Sequence, residues 1–297
     1  MITTRQLRYF DALATTLHFG RAAELCAVTQ PALSMQIRDL ERELGVVLVE
    51  RTPGEVALTA EGREIAHRAA AILADIQDLA TYARRRHGTL AGSLRLGIIP
   101  SIAPYLLPAL LPRLQARYPD LDLQVRETQT AALIEDLLRG DLDCVLIALP
   151  WSHPQIETRA LFDDEFLLAV SAADATLWPA PPDPESIADQ RLLLLEEGHC
   201  LRDQVLQFCR IAPPGVRRSL GATSLATSIQ MVAAGYGVTL LPRLCAATEV
   251  KDARITLLPF ADPAPKRQIG LAWRRTSGRA RDFETLGAIV AEDHPEP

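Results

Sequence analysis

The chain has 297 residues, 48% of them hydrophobic and 23% charged, which excludes a disordered protein and suits two or three modest domains with cores of their own. Its net charge of −6 at first argues against nucleic acid. The deficit is uneven, however: residues 1–90 hold 11 Arg against 11 Asp and Glu, so a neutral N-terminal unit can still present a basic face.

The first helix is expected behind Thr3 or Thr4, with Leu7, Phe10, Leu13 and Leu17 at helical spacing. A short second helix buries Ala22, Ala23 and Leu25. In the third, Thr29 is a good cap and Pro31 fits the first turn, where its missing N–H costs nothing. Leu33, Ile37, Leu40 and Leu44 form its buried face, and Gly45 ends it. The opposite face carries Gln30, Ser34, Gln36 and Arg38, which can bond base edges or phosphates. Val46–Arg51 and Val56–Ala57-Leu58, around the turn Thr52-Pro53-Gly54-Glu55, read as a two-stranded wing. On periodicity alone a winged helix-turn-helix and a small three-helix domain with a solvated face are equally good readings.

From Ala60 to about Arg86 there is no proline, and Ile65, Ala69, Ile72, Ile76, Leu79 and Ala83 recur at a 4-3-4-3-4 spacing. That narrow seam is expected to pair a long linker helix with its copy in a second subunit; a helix packed on its own domain is the plainer alternative. After Gly92 short apolar strands alternate with helices, the pattern of an α/β fold. Strands are expected at 94–99, 121–127, 144–149, 166–171, 192–195, 238–241 and 268–273. Helices are expected to begin near Ile102, Thr130, His199, Ser224 and Ala280. Ligands of such sheets gather where strands end and helices begin, which points to Ser101, Thr130, His199 and Cys200.

The start Met1-Ile2-Thr3-Thr4-Arg5 lacks the features of a secretory signal, and no run of 18 apolar residues is present. A cytoplasmic protein with no membrane partner is expected, and its five cysteines should be free thiols. No C-x-x-C pair suggests a metal, and Cys26, Cys144 and Cys245 lie in apolar runs that read as core. Cys200 and Cys209 differ, nine positions apart on a segment with helical periodicity. At about 1.5 Å per residue their Cα atoms are roughly 13 Å apart, whereas a disulfide tolerates at most about 7 Å. They can bond only if the segment refolds. A helix start beside His199, Arg202 and Arg267 is expected to favour a thiolate at Cys200. Two ordinary helix-lining cysteines remain the alternative.

Two stretches go further. Phe19-Gly20-Arg21-Ala22-Ala23-Glu24-Leu25, then Thr29-Gln30-Pro31-Ala32-Leu33-Ser34, Gln36-Ile37, Leu40-Glu41, Leu44-Gly45, Leu48 and Arg51, resemble the DNA-binding signature of LysR-type transcriptional regulators. Leu195-Glu196-Glu197-Gly198-His199-Cys200-Leu201-Arg202-Asp203-Gln204, with Phe208-Cys209, resembles the redox segment of peroxide-sensing members of that family. Further matches, among them Asp143-Cys144 and Met231–Gly235, extend the resemblance over nearly the whole chain.

The resemblance implies an α/β protein with an N-terminal winged helix-turn-helix (1–59, the motif itself about 19–38), a long linker helix (60–91) and a regulatory domain (92–297). The last would be built like a periplasmic binding protein, with subdomains at 92–164 plus 268–297 and at 165–267. Thr29, Gln30, Pro31, Ala32, Ser34, Gln36, Arg38 and Arg51 would meet double-stranded promoter DNA. Cys200 resembles the peroxidatic cysteine and Cys209 the resolving one, while Ser101, Thr130, His199, Asp203 and Arg267 resemble groups that hold hydrogen peroxide or tune the thiolate. The implied protein is not an enzyme and carries no metal or other cofactor. Its implied partners are RNA polymerase, a second subunit through the linker helix, a further dimer making a tetramer, and a thiol reductant. Ser101 departs from the pattern, standing where such regulators commonly have threonine, and Cys245 is an additional thiol. A metabolite-sensing regulator, a thiol peroxidase and a solute-binding protein are the competing readings.

Overall fold

The computed structural model describes residues 1–52, 55–84, 88–179, 181–182, 187, 190–209 and 220–292. Its first unit starts with helix α1 (Thr4–Thr16), closed by a capping box in which Thr3 and Gln6 satisfy each other's backbone. Helix α2 (Phe19–Leu25) takes its cap from the His18 ring, whose Nδ1 accepts the Arg21 N–H at 3.2 Å. Helix α3 (Gln30–Leu44) is capped by Thr29 and ends at Gly45, where φ is +71° and only glycine is unstrained. Phe10, Leu13, Leu33, Ile37, Leu40 and Leu48 are fully buried among these helices.

The wing is β1 (Val49–Thr52) paired antiparallel with β2 (Glu55–Leu58); Pro53 and Gly54 of its expected turn lie outside the described residues. The expected first strand is shorter than its apolar run. The Glu41 carboxylate accepts the Leu48 and Val49 N–H groups at 2.9 and 3.2 Å, which keeps 46–48 out of the ladder. Helix α4 (Ala60–Arg84) follows, its Gly62 N–H donating to the Thr59 hydroxyl at 2.8 Å. A Cβ on Gly62 would stand 2.0 Å from the Leu48 carbonyl, so glycine is obligatory in that turn. Along the seam Ile65 and Ala69 pack inward, whereas Ile72, Ile76 and Leu79 are exposed; the side chain of Ala83 lies outside the described residues.

The second unit is built on β3 (Gly92–Ile98), β4 (Leu121–Glu127), β5 (Cys144–Leu149), β6 (Ile156–Ser171), β9 (Thr239–Pro242), β10 (Ile255–Pro259) and β11 (Lys266–Arg274), with order β10-β6-β11-β5-β3-β4 and β9 also on β6. β3 runs parallel to β4 and β5, and β11 antiparallel to β5 and β6. The expected strand at 166–171 is longer than foreseen because the polar stretch from Ile156 to Glu165 pairs along β11. The expected subdomain boundaries, 164/165 and 267/268, therefore fall inside two continuous strands.

A second sheet holds β7 (Leu193–Leu195) parallel to β8 (Leu220–Ala222). Around it pack α7 (Cys200–Phe208), α8 (Leu225–Ala233) and α9 (Arg243–Glu249), burying Leu193, Leu201, Val205, Ile229 and Leu240. Helices α5 (Ala103–Arg117), α6 (Thr130–Arg139) and α10 (Ala280–Ala291), with a 3-10 turn at Ala175–Leu177, complete the described elements. None of the described helices is long and apolar enough to cross a membrane.

Candidate functional site

Four expected residues meet in one small pocket. Ser101 comes from the turn between β3 and α5, Thr130 opens α6, and His199 and Cys200 begin α7, with Gln129 and Gly198 completing the wall. The α7 turn depends on Gly198, whose φ of +94° is strained for any side chain; a Cβ there would also stand 2.5 Å from the Gln129 amide oxygen. The pocket's free volume is about 10 Å³. One water-sized molecule needs about that much, whereas metabolite pockets run from about 300 Å³ upward.

Arg267, nearly fully buried on β11, organises the back of this pocket. Its guanidinium pairs with Asp164 at 2.9 Å, donates to the Ser101 hydroxyl at 2.8 Å and to the Ser101 carbonyl at 3.0 Å. A buried cation is tolerable only when paired and hydrogen-bonded in this way. Because Arg267 donates to the Ser101 oxygen, the Ser101 proton is left to point elsewhere. The Thr130 hydroxyl is buried and makes no hydrogen bond of acceptable geometry, though it lies close enough to the Cys200 sulfur to favour its ionised form. Two hydroxyls beside one thiol are thus available to a small polar ligand with donors and acceptors at both ends.

At Cys200 burial works against the expected thiolate. Burial pushes the Cys200 thiol above its ordinary value, outweighing the Arg267 charge, the Thr130 hydroxyl and the Leu201 N–H, which pull it down; Asp203 pushes it up again. Arg202, expected among the cations, instead donates to the Leu195 carbonyl at 3.1 Å. Asp203 is exposed on α7, and its charge raises the thiol. His199 occupies the cap position of α7 without a side-chain capping bond.

Cys209 stands at the other end of the same helix. It is buried in the core, and burial pushes its thiol up to about 11. All five cysteines are free. With α7 formed, about 13 Å of helix separates Cys200 from Cys209, as the sequence spacing implied. Cys144 and Cys245 are fully buried as expected, but Cys26 is only half-buried, because it sits at the C-terminal cap of the short α2.

On α3 the expected DNA-facing set divides. Thr29, Gln30, Pro31 and Arg38 are exposed; Ala32, Ser34 and Gln36 are half-buried; the backbone of Arg51 lies on β1 and its side chain is outside the described residues. Three residues escaped sequence reasoning. Met35 is exposed on α3 and offers an apolar contact of the kind that reads a thymine methyl. Gln129 lies in the strand-end segment Thr128-Gln129-Thr130 that the sequence brings to the site, but its own place in the wall has no motif. Asp164, which orients Arg267, lies 103 positions away in sequence and left no signal.

A winged helix-turn-helix, a long helix and a sheet-based domain with a pocket at its strand ends are the architecture of a DNA-binding protein with a ligand-responsive domain. The model of the LysR-family bacterial regulatory helix-turn-helix protein matches residues 4–63, and that of the LysR substrate binding domain matches 87–294. The chain belongs to the LysR family of transcriptional regulators. Within it, the chain is closely related to OxyR. It is 43% identical, over 97% of its length and 93% of the relative's, to a probable hydrogen peroxide-inducible genes activator of Streptomyces viridosporus. To the DNA-binding transcriptional dual regulator OxyR of Escherichia coli K12 the identity is 40%, over 96% of this chain and 94% of that one. A full-length OxyR variant from Pseudomonas aeruginosa matches with a TM-score of 0.79 at 37% identity, covering 98% of both chains. A hydrogen peroxide-bound OxyR variant from Corynebacterium glutamicum gives 0.68 at 34% identity, over 97% of this chain and 91% of that one.

Proposed function

We propose that this protein is a hydrogen-peroxide-sensing transcriptional regulator, with Cys200 as the peroxidatic thiol and Cys209 as its resolving partner. The observation that carries this reading is a pocket sized for one small molecule, lined by Ser101, Thr130, His199 and Cys200, with the Thr130 hydroxyl acting on the Cys200 sulfur.

In the proposed reaction Cys200 loses its proton and the thiolate attacks one peroxide oxygen. The O–O bond breaks, the departing hydroxide takes up a proton and leaves as water, and the sulfur becomes a sulfenic acid. Ser101, Thr130 and His199 hold the peroxide, and Arg267 favours the thiolate. Cys209 then attacks the sulfenic sulfur, forming the disulfide and releasing a second water. Since α7 holds the two thiols far apart, the bond forms only as α7 unravels, and that rearrangement is the signal. Two electrons from a thiol reductant reset it.

The output side has residues 1–59 as the DNA-binding domain, with Gln30, Arg38 and Arg51 among its contacts. Residues 60–91 form the dimerising linker, whose exposed Ile72, Ile76 and Leu79 would be covered by the partner helix. Residues 92–297 form the sensing domain. Assembly into tetramers and contact with RNA polymerase belong to the same proposal.

The test is a paired measurement on the reduced protein and on protein treated with one equivalent of hydrogen peroxide: peptide mass mapping of the cysteines, and a footprint on promoter DNA. A Cys200–Cys209 linkage with an altered footprint is expected. Two thiols that stay reduced, or a Cys200→Ser variant whose footprint still changes, would sink the reading.

A further inference from the structure

Cys245 is a thiol the sensing reaction does not use, and it lies directly behind the pocket. It sits on α9, fully buried, with its sulfur 3.6 Å from the Ser101 carbonyl oxygen. That carbonyl also receives Arg267 Nη2 at 3.0 Å, while Arg267 Nη1 holds the Ser101 hydroxyl at 2.8 Å. The Leu244 N–H, next in chain, donates to the same Asp164 that pairs with Arg267, at 2.9 Å. One turn on, Glu249 accepts the Tyr105 hydroxyl at 2.7 Å, anchoring α9 to the start of α5 just beyond Ser101. On the pocket side, the buried Thr130 hydroxyl faces the Cys200 sulfur.

We infer that Cys245 is a positioning residue: its S–H, donated to the Ser101 carbonyl, braces the Ser101 turn from behind so that the Ser101 hydroxyl is presented to peroxide. The inference rests on the proposed sensing reaction. Its chemistry is ordinary. A buried thiol is a weak donor, and burial pushes this one up to about 12, so it keeps its proton at neutral pH. Ser101 has no methyl to brace it as a threonine would, so the bonds to its carbonyl add to the backbone bonds from Ile102 and Ala103 to Ile99 that close the turn. Arg267 and Cys245 supply those carbonyl bonds from two directions, and the Cys245 side chain itself never meets the ligand.

The test uses the full-length reduced protein and follows the Cys200 peptide by mass spectrometry. Cys245→Ala removes the donor and leaves a slightly smaller side chain; Cys245→Val removes it with a slightly larger one, so the two donor-free variants bracket the thiol in size; Cys245→Ser keeps a donor. Oxidation of Cys200 by hydrogen peroxide is expected to slow about tenfold in the valine and alanine variants, since small misplacements of a reacting site cost that much or more. Alkylation of Cys200 by iodoacetamide, which reads the thiolate and not peroxide placement, should stay within twofold of wild type, and Cys245→Ser should restore peroxide oxidation. Donor-free variants oxidised at the wild-type rate overturn the inference. So does an equal slowing of both reactions, or a serine variant as slow as valine. A wild-type protein that ignores peroxide would instead overturn the sensing reaction itself.

Discussion

Helices α3 and α7 do opposite jobs, and their ends show it. α3 runs for 15 residues, has a Thr29 cap, proline in its first turn and Gly45 at its end, and fully buries Leu33, Ile37 and Leu40. α7 runs for nine, has a His199 cap that makes no capping bond, and ends on Cys209 instead of a glycine. A helix shorter than about 12 residues is marginal without tertiary packing, so α7 depends on its contacts: buried Leu201, Val205 and Leu206, the Phe208 ring against Phe260, and the Arg202 bond to the Leu195 carbonyl. A disulfide contributes about 2–4 kcal/mol, enough to compete with one short, poorly capped helix but not with α3 in its core. The difference teaches where a switch can be placed: in the element whose packing a single covalent bond can outweigh.

The comparison breaks most severely if α7 can rearrange without the bond. Cys209→Ser leaves Cys200 oxidisable but removes the resolving thiol. This variant should form sulfenic acid, trapped by a dimedone-type probe, while its promoter footprint stays that of the reduced protein. A footprint that shifts fully in Cys209→Ser would mean that α7 responds to oxidation itself and that its weak ends are incidental.

Next in size are matched truncations. Leu33→Ala in α3 and Leu206→Ala in α7 each remove a buried leucine and should cost about 3 kcal/mol where packing is tight. Their consequences should differ. Leu33→Ala should lower the melting temperature of the DNA-binding unit and leave disulfide formation unchanged. Leu206→Ala should speed closure of the Cys200–Cys209 bond several-fold in stopped-flow measurements, because the opening it eases is the step on the path. Equal closure rates in the two variants would remove the distinction.

Much of this contrast was legible in the sequence. Thr29, Pro31 and Gly45 announce the ends of α3, and the nine-residue spacing of Cys200 and Cys209 on a helix-periodic segment carries the distance argument. The pocket was legible as a set of strand-end and helix-start residues, Ser101, Thr130, His199 and Cys200. What stayed hidden depends on contacts distant in sequence. Asp164 reaches Arg267, and Cys245 reaches Ser101, only because β6, β11 and α9 meet there, and no local pattern encodes it. The direction of the Cys200 shift was hidden for a related reason. Adjacent cations can be read from a chain, but the burial that outweighs them is a property of the packed whole.

A smaller effect tests the caps. Thr29→Ala removes the bond to the Ala32 N–H and should destabilise α3 by about 1 kcal/mol, with a modest loss of promoter affinity in a titration. If affinity and melting temperature both stay at wild-type values, the capping contrast between α3 and α7 carries no weight.

The smallest effect is a matter of pH. Burial raises the Cys209 thiol from 9.0 to about 11, so the folded protein favours its protonated form more than the unfolded chain does. That preference stabilises the fold fully below about pH 9 and is lost as pH rises through about 11. Cys209→Ala lacks it at every pH. The melting temperatures of wild type and Cys209→Ala should therefore differ most near neutral pH, with wild type the higher, and converge as pH climbs through that window. The other buried thiols are common to both proteins and cancel in the difference. A gap that stays constant to pH 11 would mean that Cys209 contributes only packing, and that α7 is anchored at its C-terminal end by shape alone.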